Sequence, residues 1–321
     1  MMSEIAIAGI GTAVPPNTVS QRDVREVVEA LFNDRVTDLQ RLLGVFEHHH
    51  IRQRHLMQPP SWYATERGFA GSNAAYVDAA TVLATDAARR ALADAELHVG
   101  DIDGLVVVSS TGIMTPSLDA VLAQELGCDR HIMRRPVFGL GCAGGVSGLA
   151  RAAELSHARD GRAILFVAVE ICSATFQRND TSRSNLVGAS LFADGAAAVI
   201  VSADGRGPVV ANSFSTLFPN TYDIMGWDVA DDGLRVRFSR DIPTFVRTNI
   251  PLVLEEACLA WGIDAGDIIG HITHPGGAKV LDAYAEAVQA QSQAFDVARE
   301  VLYDHGNMSS ASVLFVLERL M

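Results

Sequence analysis

Short apolar runs recur along the chain, separated by stretches in which apolar residues have helical spacing. The runs that predict strands are IAIAGIG, DGLVVVSST, PVFGLG, AILFVAVEI, AAAVIVSA, GPVVANSF and IGHITHP. The segments that predict helices are AAYVDAATVLATDAARRALADAEL, SLDAVLAQEL and VSGLARAAELSHA, where apolar side chains return every three or four positions. Strands that are apolar on both faces and alternate with helices indicate an α/β fold with largely parallel, buried sheets.

Turn residues divide the chain into two parts. The stretch SADGRGPVV, residues 202–210, separates two strand-like runs with glycine and aspartate. With 321 residues the chain is too long for one small core. We therefore predict a first half over residues 1–205 and a shorter second half over residues 206–321.

Charge and composition exclude several classes of function. The formal net charge is −13, which would repel a nucleic acid backbone, so we expect no nucleic acid partner. An anionic small molecule would then need a local basic pocket. The N-terminal letters lack the basic start and long apolar stretch of a signal peptide, and no window is long and apolar enough to span a membrane. We expect a cytoplasmic protein.

The four cysteines, Cys128, Cys142, Cys172 and Cys258, are widely spaced, which predicts neither a disulfide framework nor a zinc site. Cys142 stands out because GCAGG surrounds it, between a predicted strand and a predicted helix. A sulfur at a helix N-terminus has a lowered pKa, and the glycines would let a substrate carbonyl approach it. The alternative is a small buried cysteine that packs as a hydrophobe.

Two further polar residues have a comparable setting. His274 ends the predicted strand IGHITHP and is followed by two glycines and a helix, whereas His271 would point to the opposite side of that strand. Asn307 follows a glycine in HGNMSSAS and by itself would be a helix cap. The order cysteine, histidine, asparagine also occurs in papain-like proteases, but their C-G-[SA]-C-[WY] context is missing here.

The tract EHHHIRQRH, residues 47–55, concentrates the histidines of the chain. Metal binding is one interpretation, although no acidic or cysteine ligand lies at a supporting spacing. Loop histidines beside Arg52 and Arg54 are the other, and these two arginines could contact the phosphates of a substrate.

Four motifs in order carry a resemblance to a known family: GCAGG, LFADGAAAVIVS, THPGGAKVLD and HGNMSSA. The chain resembles the type III polyketide synthases, relatives of chalcone synthase within the thiolase superfamily. On SSTGIMTPSLDA, VEICSATFQRND and SSASVLFVLERL it looks most like bacterial alkylresorcinol and alkylpyrone synthases. The resemblance implies a thiolase-like fold of two related α/β halves, with buried mixed sheets between helices.

The resemblance also implies an activity for three residues. Cys142 would take an acyl group from a CoA thioester, with His274 and Asn307 as its catalytic partners. The imidazolium group of His274 would pair with the thiolate of Cys142. His274 and Asn307 would both donate hydrogen bonds to the thioester oxygen while malonyl-CoA loses carbon dioxide. Acyl-CoA and malonyl-CoA would be the substrates, and no metal or redox cofactor would be needed.

Five further positions match pocket or interface positions of the family. Phe192 matches a gatekeeper phenylalanine, with an ordinary core residue as the alternative. Cys172 and Thr175 fall where plant relatives have cavity-lining threonines, and Val236 falls where they carry a second gatekeeper ring. Losing that ring would widen the cavity, which predicts a long aliphatic starter. Thr115 aligns with a methionine that crosses the dimer interface, which implies a homodimer.

The C-terminal part departs from the family pattern. Relatives continue past the VLFVLERL helix with two strands around a GFGPG-type loop, and these letters are missing before Met321. We expect the second sheet to lose members and to expose an unpaired edge. The alternatives to an iterative polyketide synthase are a single condensation of the ketoacyl-ACP synthase III type and a shortened, non-catalytic relative.

Overall fold

A computed structural model describes residues 4–321, and its first half is built on a mixed five-stranded sheet. The strand order is β1-β7-β6-β4-β5, in which β5, β4 and β6 are parallel and β7 is antiparallel to both β6 and β1. Four of the runs that predict strands form strands of this sheet, whereas the run PVFGLG contributes only Pro136 and Val137 to its edge strand and continues as irregular chain. The strands of this sheet are β1 (Ala6–Ala13), β4 (Ile102–Val108), β5 (Met133–Val137), β6 (Ala163–Ile171) and β7 (Asp194–Ser202).

Helices cover both faces of this sheet, as continuous burial of β6 and β7 requires. Alternate residues of β6 lie on opposite faces of the sheet. On one face, Leu165 and Val167 pack with the long helix α5 (Phe69–Asp94). On the other face, Ile164 and Phe166 pack with α7 (Gly144–His157) and α12 (Ser312–Leu320). The helices of the first half are α1 (Gln21–Phe32), α2 (Leu39–Leu43), α3 (Val45–His48), α4 (Pro60–Tyr63), α5 (Phe69–Asp94), α6 (Leu118–Leu126), α7 (Gly144–His157) and α8 (Arg183–Leu191).

The remaining strands form two small ribbons. Strand β2 (Asn17–Ser20) pairs with β3 (Gln53–Leu56), and β8 (Met225–Ala230) pairs with β9 (Gly233–Phe238) in the second half. The helices of the second half are α9 (Ile242–Trp261), α10 (Ala278–Ala287), α11 (Asp296–His305) and α12 (Ser312–Leu320). Among residues 4–321, no helix is long and apolar enough to cross a membrane.

The prediction of strands for GPVVANSF and IGHITHP is wrong for this structure. The first run touches β1 only through a bridge between Ala6 and Val209, and the second is irregular throughout. A strand needs a neighbour along its whole length to satisfy its backbone groups; the first run has such hydrogen bonds to β1 only over residues 207–210, and the second has no strand beside it in the described chain. Their apolar side chains consequently reach solvent, as the full exposure of Ile269 illustrates. The second half therefore lacks the buried sheet that we expected for it.

The glycines after Cys142 serve the packing between the two halves. A Cβ on Gly145 would lie 2.2 Å from the carbonyl oxygen of Ser310 and 2.6 Å from Val313. A Cβ on Gly144 would lie 2.5 Å from Val108 in the sheet. These glycines let the N-terminus of α7 contact the segment before α12.

We predict that Gly145→Ala lowers the free energy of unfolding by about 1–3 kcal/mol, because the added methyl overpacks the contact between the halves. Thermal or urea unfolding followed by circular dichroism measures the change. Gly100→Ala is the matched control, because no atom lies within 4 Å of the Cβ position there. Equal stability of the two variants would contradict this account of Gly145.

Candidate active site

Cys142 lies between strand β5 and helix α7, which confirms the predicted strand-turn-helix setting. The strand ends at Val137, a 3₁₀ turn spans Gly141–Ala143, and α7 follows at once. Gly139 and Gly141 have φ of 89° and 52°, a region that favours glycine. Their N–H groups donate to the hydroxyl of Ser110 at 3.3 Å and 3.2 Å, which fixes the turn.

His274 and Asn307 approach from loops of the second half. His274 lies in irregular chain rather than at the end of a strand, and Gly277 with φ of 151° leads into α10. Asn307 follows α11 through Gly306, whose φ is 70°. The backbone of Asn307 bridges to that of Phe192, since its N–H donates to Leu191 and its carbonyl accepts from Ala193. The position of the carboxamide is thereby tied to the end of α8.

The structure brings Cys142, His274 and Asn307 into one cleft of about 1220 Å³. The sulfur lies 3.5 Å from the hydroxyl of Ser309, whose N–H donates to the side-chain oxygen of Asn307 at 2.8 Å. The Asn307 amide group also donates to the carbonyl of Gly276 at 3.2 Å, beside His274. A cysteine, an imidazole and a carboxamide therefore share one reaction space.

The predicted imidazolium–thiolate pair is wrong for the free site. Burial raises the pKa of Cys142 to about 11, against a partial offset from its contact with Ser309. Burial lowers the pKa of His274 to about 4. At neutral pH a thiol therefore faces a neutral imidazole. Neither ring nitrogen of His274 has a hydrogen-bond partner in the described chain, so both are available to a substrate.

Glu170 ties the two halves together behind the nucleophile, and the sequence analysis missed its contribution. Its carboxylate accepts from Ser110 N–H at 2.9 Å, from the Thr111 hydroxyl at 2.9 Å and from the Ser310 hydroxyl at 2.7 Å. Burial raises its pKa to about 7, and these hydrogen bonds act in the opposite direction. A lone acidic residue inside the apolar run AILFVAVEI was the available signal.

A second, smaller cavity of about 60 Å³ lies beside the cleft. Its lining is almost entirely apolar, and it includes Phe192, Cys172, Thr175 and Val236. The four residues matched to family pocket positions thus share one cavity. Phe192 stacks on Phe238 with ring centroids 5.4 Å apart, and Phe238 lines the main cleft. These two rings form a partition between the cavity and the cleft.

Arg52 and Arg54 do not take the predicted phosphate-binding position. Arg54 is 1% exposed and donates to three carbonyls, those of Ala189, Ser190 and Phe192. Arg52 pairs with Asp304 at 3.0 Å, outside the residues that line the cleft. Arg54 instead supports the backbone that carries Phe192, because a buried guanidinium requires hydrogen-bond acceptors.

Other basic residues supply the local basic pocket. Arg41, Arg183, Arg240 and Lys279 are exposed and line the cleft. None of them has a carboxylate within 4.0 Å in the part of the chain that the structure describes. Their positive charges therefore remain open to an anionic ligand in a protein of net charge −13.

The histidine tract contributes to the same cleft. His48 and His49 line it, and His49 is partly buried. Residues 4–321 hold no group of three or more histidine, cysteine, aspartate or glutamate side chains that could bind a metal ion.

Thr115, which matches an interface position of the family, is exposed in the loop that follows β4 and is not among the residues that line the cleft.

A cysteine on a strand-to-helix elbow that shares one cleft with an imidazole and a carboxamide, where two halves meet, is the arrangement of a thiolase-fold condensing enzyme. Family models agree over nearly the whole chain: chalcone and stilbene synthases, N-terminal domain, matches residues 2–205, and the C-terminal domain matches residues 209–321. The chain belongs to the chalcone and stilbene synthase family, the type III polyketide synthases. Members of this family are enzymes that extend acyl-CoA by decarboxylative condensation with malonyl-CoA.

Individual relatives support the same assignment. The chain is 40% identical over 321 residues to a 1,3,6,8-tetrahydroxynaphthalene synthase of Streptomyces peucetius subsp. caesius, covering 98% of this chain and 84% of the relative. It is 33% identical to a 3,5-dihydroxyphenylacetyl-CoA synthase of Amycolatopsis balhimycina, covering 98% and 84%. The crystal structure of tetrahydroxynaphthalene synthase from Streptomyces coelicolor A3(2) superposes with a TM-score of 0.93 at 32% identity, covering 98% and 90%.

We predict that alkylation of Cys142 by iodoacetamide accelerates with pH. With the thiol pKa raised, the reactive thiolate is a minor species at neutral pH and increases about tenfold per pH unit between about pH 6 and pH 9. Peptide mapping by mass spectrometry gives the rate at Cys142 itself, with Cys142→Ser as the blank. A rate that stays flat between about pH 6 and pH 8 would mean a preformed imidazolium–thiolate pair.

Proposed function

We propose that Cys142 accepts the acyl group of a CoA starter and that the chain extends it with malonyl-CoA to alkylpyrone or alkylresorcinol products. The observation that carries this proposal is the shared cleft of Cys142, His274 and Asn307, in which His274 has two unoccupied ring nitrogens. Burying an imidazole without partners costs free energy unless a ligand completes its hydrogen bonds. A thioester in this cleft is such a ligand.

Neutral side chains suit the loading step. His274 accepts the proton of Cys142 as the sulfur attacks the thioester carbonyl, so both charges arise only when the substrate is present. The amide group of Asn307 donates to the carbonyl oxygen while negative charge develops on it. CoA leaves as a thiol after taking up the proton from His274.

His274 and Asn307 also act in the extension step, where both donate hydrogen bonds. Malonyl-CoA loses carbon dioxide, and the resulting enolate oxygen accepts hydrogen bonds from the ring N–H of neutral His274 and from Asn307. The enolate carbon attacks the Cys142 thioester, the bond between the acyl carbon and the Cys142 sulfur breaks, Cys142 leaves as a thiolate, and the chain on CoA is longer by two carbons. We propose no metal or redox cofactor, because these donors supply the stabilisation that the enolate needs.

The basic residues of the cleft favour a CoA-bound substrate. Arg41, Arg183, Arg240 and Lys279 are exposed cations without carboxylate partners in the described residues, and CoA carries several phosphate charges. We propose that they hold the nucleotide end of CoA while its thioester reaches Cys142. These residues replace Arg52 and Arg54 in that role.

We propose a long aliphatic starter on the basis of the apolar lining of the second cavity, which at about 60 Å³ holds only the first few methylenes and would have to widen for the rest. Val236 occupies a position where a larger ring would fill the space, and the walls around Phe192, Cys172 and Thr175 offer almost no polar groups. An aliphatic chain can bury its methylenes there without leaving hydrogen bonds unmade. The Phe192–Phe238 partition would then control passage from the cleft to this cavity.

We also propose a homodimer through the face around β5. This strand is an edge of the sheet, with Arg134, Arg135 and Pro136 exposed. Phe138, directly after β5, is 62% exposed, and Ile113, in the loop that follows β4, is 45% exposed. An unpaired edge beside exposed apolar side chains favours association of a second copy. Sedimentation velocity measures this directly.

We predict that Cys142→Ala abolishes acyl loading and that His274→Ala or Asn307→Ala slows malonyl-CoA decarboxylation about a hundredfold, because each variant removes one donor to the enolate oxygen. Intact-protein mass spectrometry measures loading, and release of carbon dioxide measures decarboxylation.

His271→Ala is the matched control for His274→Ala. His271 lies three positions upstream and stacks on Phe295, outside the residues that line the cleft. The His271→Ala variant should keep the decarboxylation rate of the wild-type chain. Normal decarboxylation in both His274→Ala and Asn307→Ala would refute the proposed roles, and extension with malonyl-ACP but not malonyl-CoA would indicate the single-condensation alternative.

We predict that Val236→Phe lowers kcat/KM for long-chain acyl-CoA starters about tenfold or more relative to short-chain ones, because the ring fills the apolar cavity. Competition between two starters in one reaction, with products separated by mass, measures the ratio. Val229→Phe on the neighbouring strand β8 is the control, since Val229 is 75% exposed. An unchanged ratio in Val236→Phe would refute this account of starter selection.

A further inference from the structure

His49 lines the cleft beside the loop that carries His274, and the proposed reaction gives it no role. This loop contains two consecutive glycines, each with an imidazole as its neighbour. A Cβ on Gly276 would lie 3.5 Å from Nε2 of His274, and a Cβ on Gly277 would lie 3.9 Å from Nδ1 of His49. Because consecutive Cα atoms are about 3.8 Å apart, the two rings flank neighbouring points of one segment.

The space beside Gly277 is bounded by one polar and one apolar group. Apart from its own chain neighbours, a Cβ on Gly277 would have only Nδ1 of His49 and Cδ1 of Leu191 within 4 Å in the described chain, both at 3.9 Å. Both residues line the cleft. A ligand that passes Gly277 would therefore meet a ring nitrogen on one side and a methyl group on the other.

The buried side of the ring indicates which nitrogen of His49 carries the proton. Nε2 is buried and has no hydrogen-bond partner in residues 4–321. A buried N–H without a partner is rarer in folded proteins than a buried acceptor without one, so we place the proton on Nδ1. Burial, followed by the charge of Arg54 and of further cations that include Lys279, lowers the pKa of His49 to about 4. At neutral pH the ring is therefore uncharged and presents an N–H donor beside Gly277.

The position of His49 corresponds to the uncharged part of a bound CoA thioester. The proposed function places the thioester at Cys142 and His274 and the phosphates near the exposed cations, which include Lys279. Gly277, beside His49, lies three residues after His274 and two before Lys279. The part of CoA between its thioester and its phosphates is the pantetheine arm, which carries amide groups and no charge. A neutral donor at this point matches an amide carbonyl, whereas phosphates pair best with cations.

We propose that the Nδ1–H of His49 donates a hydrogen bond to the carbonyl of the pantetheine amide nearest the thioester. This contact would hold the arm beside Gly277 and orient the thioester carbon toward Cys142, while the proton stays on His49. Leu191 would contact the methylenes between that amide and the sulfur. The inference rests on the proposed function, which supplies the CoA thioester.

Four thioesters of one acyl group separate the parts of CoA in a test of this contact. Hexanoyl is offered as its CoA, pantetheine, N-acetylcysteamine and S-butyl thioesters, of which only the last lacks the amide nearest the sulfur. Intact-protein mass spectrometry follows loading of Cys142 in the wild-type chain and in His49→Leu, which removes the hydrogen bond but retains an apolar side chain. We expect His49→Leu to slow loading about three- to tenfold with the three amide-containing donors, as loss of a neutral hydrogen bond predicts. Loading from the S-butyl thioester should not change.

Two amide variants test which nitrogen of His49 acts. The side-chain amide of asparagine reaches about as far as Nδ1, and that of glutamine about as far as Nε2. His49→Asn should therefore recover most of the loading rate, whereas His49→Gln should remain close to His49→Leu. Recovery by glutamine and not by asparagine would overturn the assignment of Nδ1. His50→Asn is the matched control, because His50 is exposed and is not among the residues that line the cleft.

Lys279→Met is the contrasting variant. It removes a charge near the proposed phosphates, so it should slow loading from CoA relative to pantetheine. The relative rates of the pantetheine, N-acetylcysteamine and S-butyl donors should not change, because none of them carries a phosphate.

The outcomes separate this proposal from the proposed function. A loss in His49→Leu that is equally large with the S-butyl donor overturns the amide contact, because the effect then comes from the thioester itself or from the fold. A loss confined to CoA, or to CoA and pantetheine, overturns it because the contact then lies farther along CoA, and so does an unchanged rate with every donor. Each of these results leaves loading of Cys142 intact. No adduct on Cys142 from any donor in the wild-type chain overturns the proposed function, and the role of His49 with it.

Discussion

The close contact between the N-terminus of α7 and the segment before α12 is the constraint on which the site depends. Cys142 belongs to one half and Asn307 to the other, so their separation is set where Gly145 meets Ser310. Glu170 reinforces this contact, because its buried carboxylate accepts hydrogen bonds from both halves. A side chain larger than hydrogen at Gly145 would push the nucleophile away from its carboxamide partner.

Burial gives the cleft its electrostatic character. The same desolvation that raises the thiol pKa of Cys142 lowers the imidazole pKa of His274, so both groups are neutral near pH 7. In the proposed reaction, charge would then develop beside His274, whose ring nitrogens have no hydrogen-bond partner in the described chain. The basic side chains at the cleft are exposed, in contrast, and lie where the proposed CoA phosphates would bind.

The apolar cavity and the cleft share the segment around Phe192. Phe192 contributes to the partition through its ring and to the position of Asn307 through its backbone, which bridges to that residue. Buried Arg54 fixes the same segment by donating to the Phe192 carbonyl. A change in the shape of the apolar cavity would consequently shift the Asn307 carboxamide, which would link the proposed selection of the starter to the proposed catalysis.

Local sequence determined the elements of the first sheet, the elbow at Cys142 and, through four ordered motifs, the family. The periodicity of apolar residues and the positions of turn residues are local properties, so they can be recognised in the amino-acid sequence alone. Tertiary structure decided the rest. The residues of IGHITHP are typical of a strand, but no neighbouring strand pairs with them. Arg54 is buried among carbonyl groups rather than exposed to phosphates. The charge states of Cys142 and His274 follow from burial. Pairing and desolvation depend on residues distant in the chain, which no local pattern records.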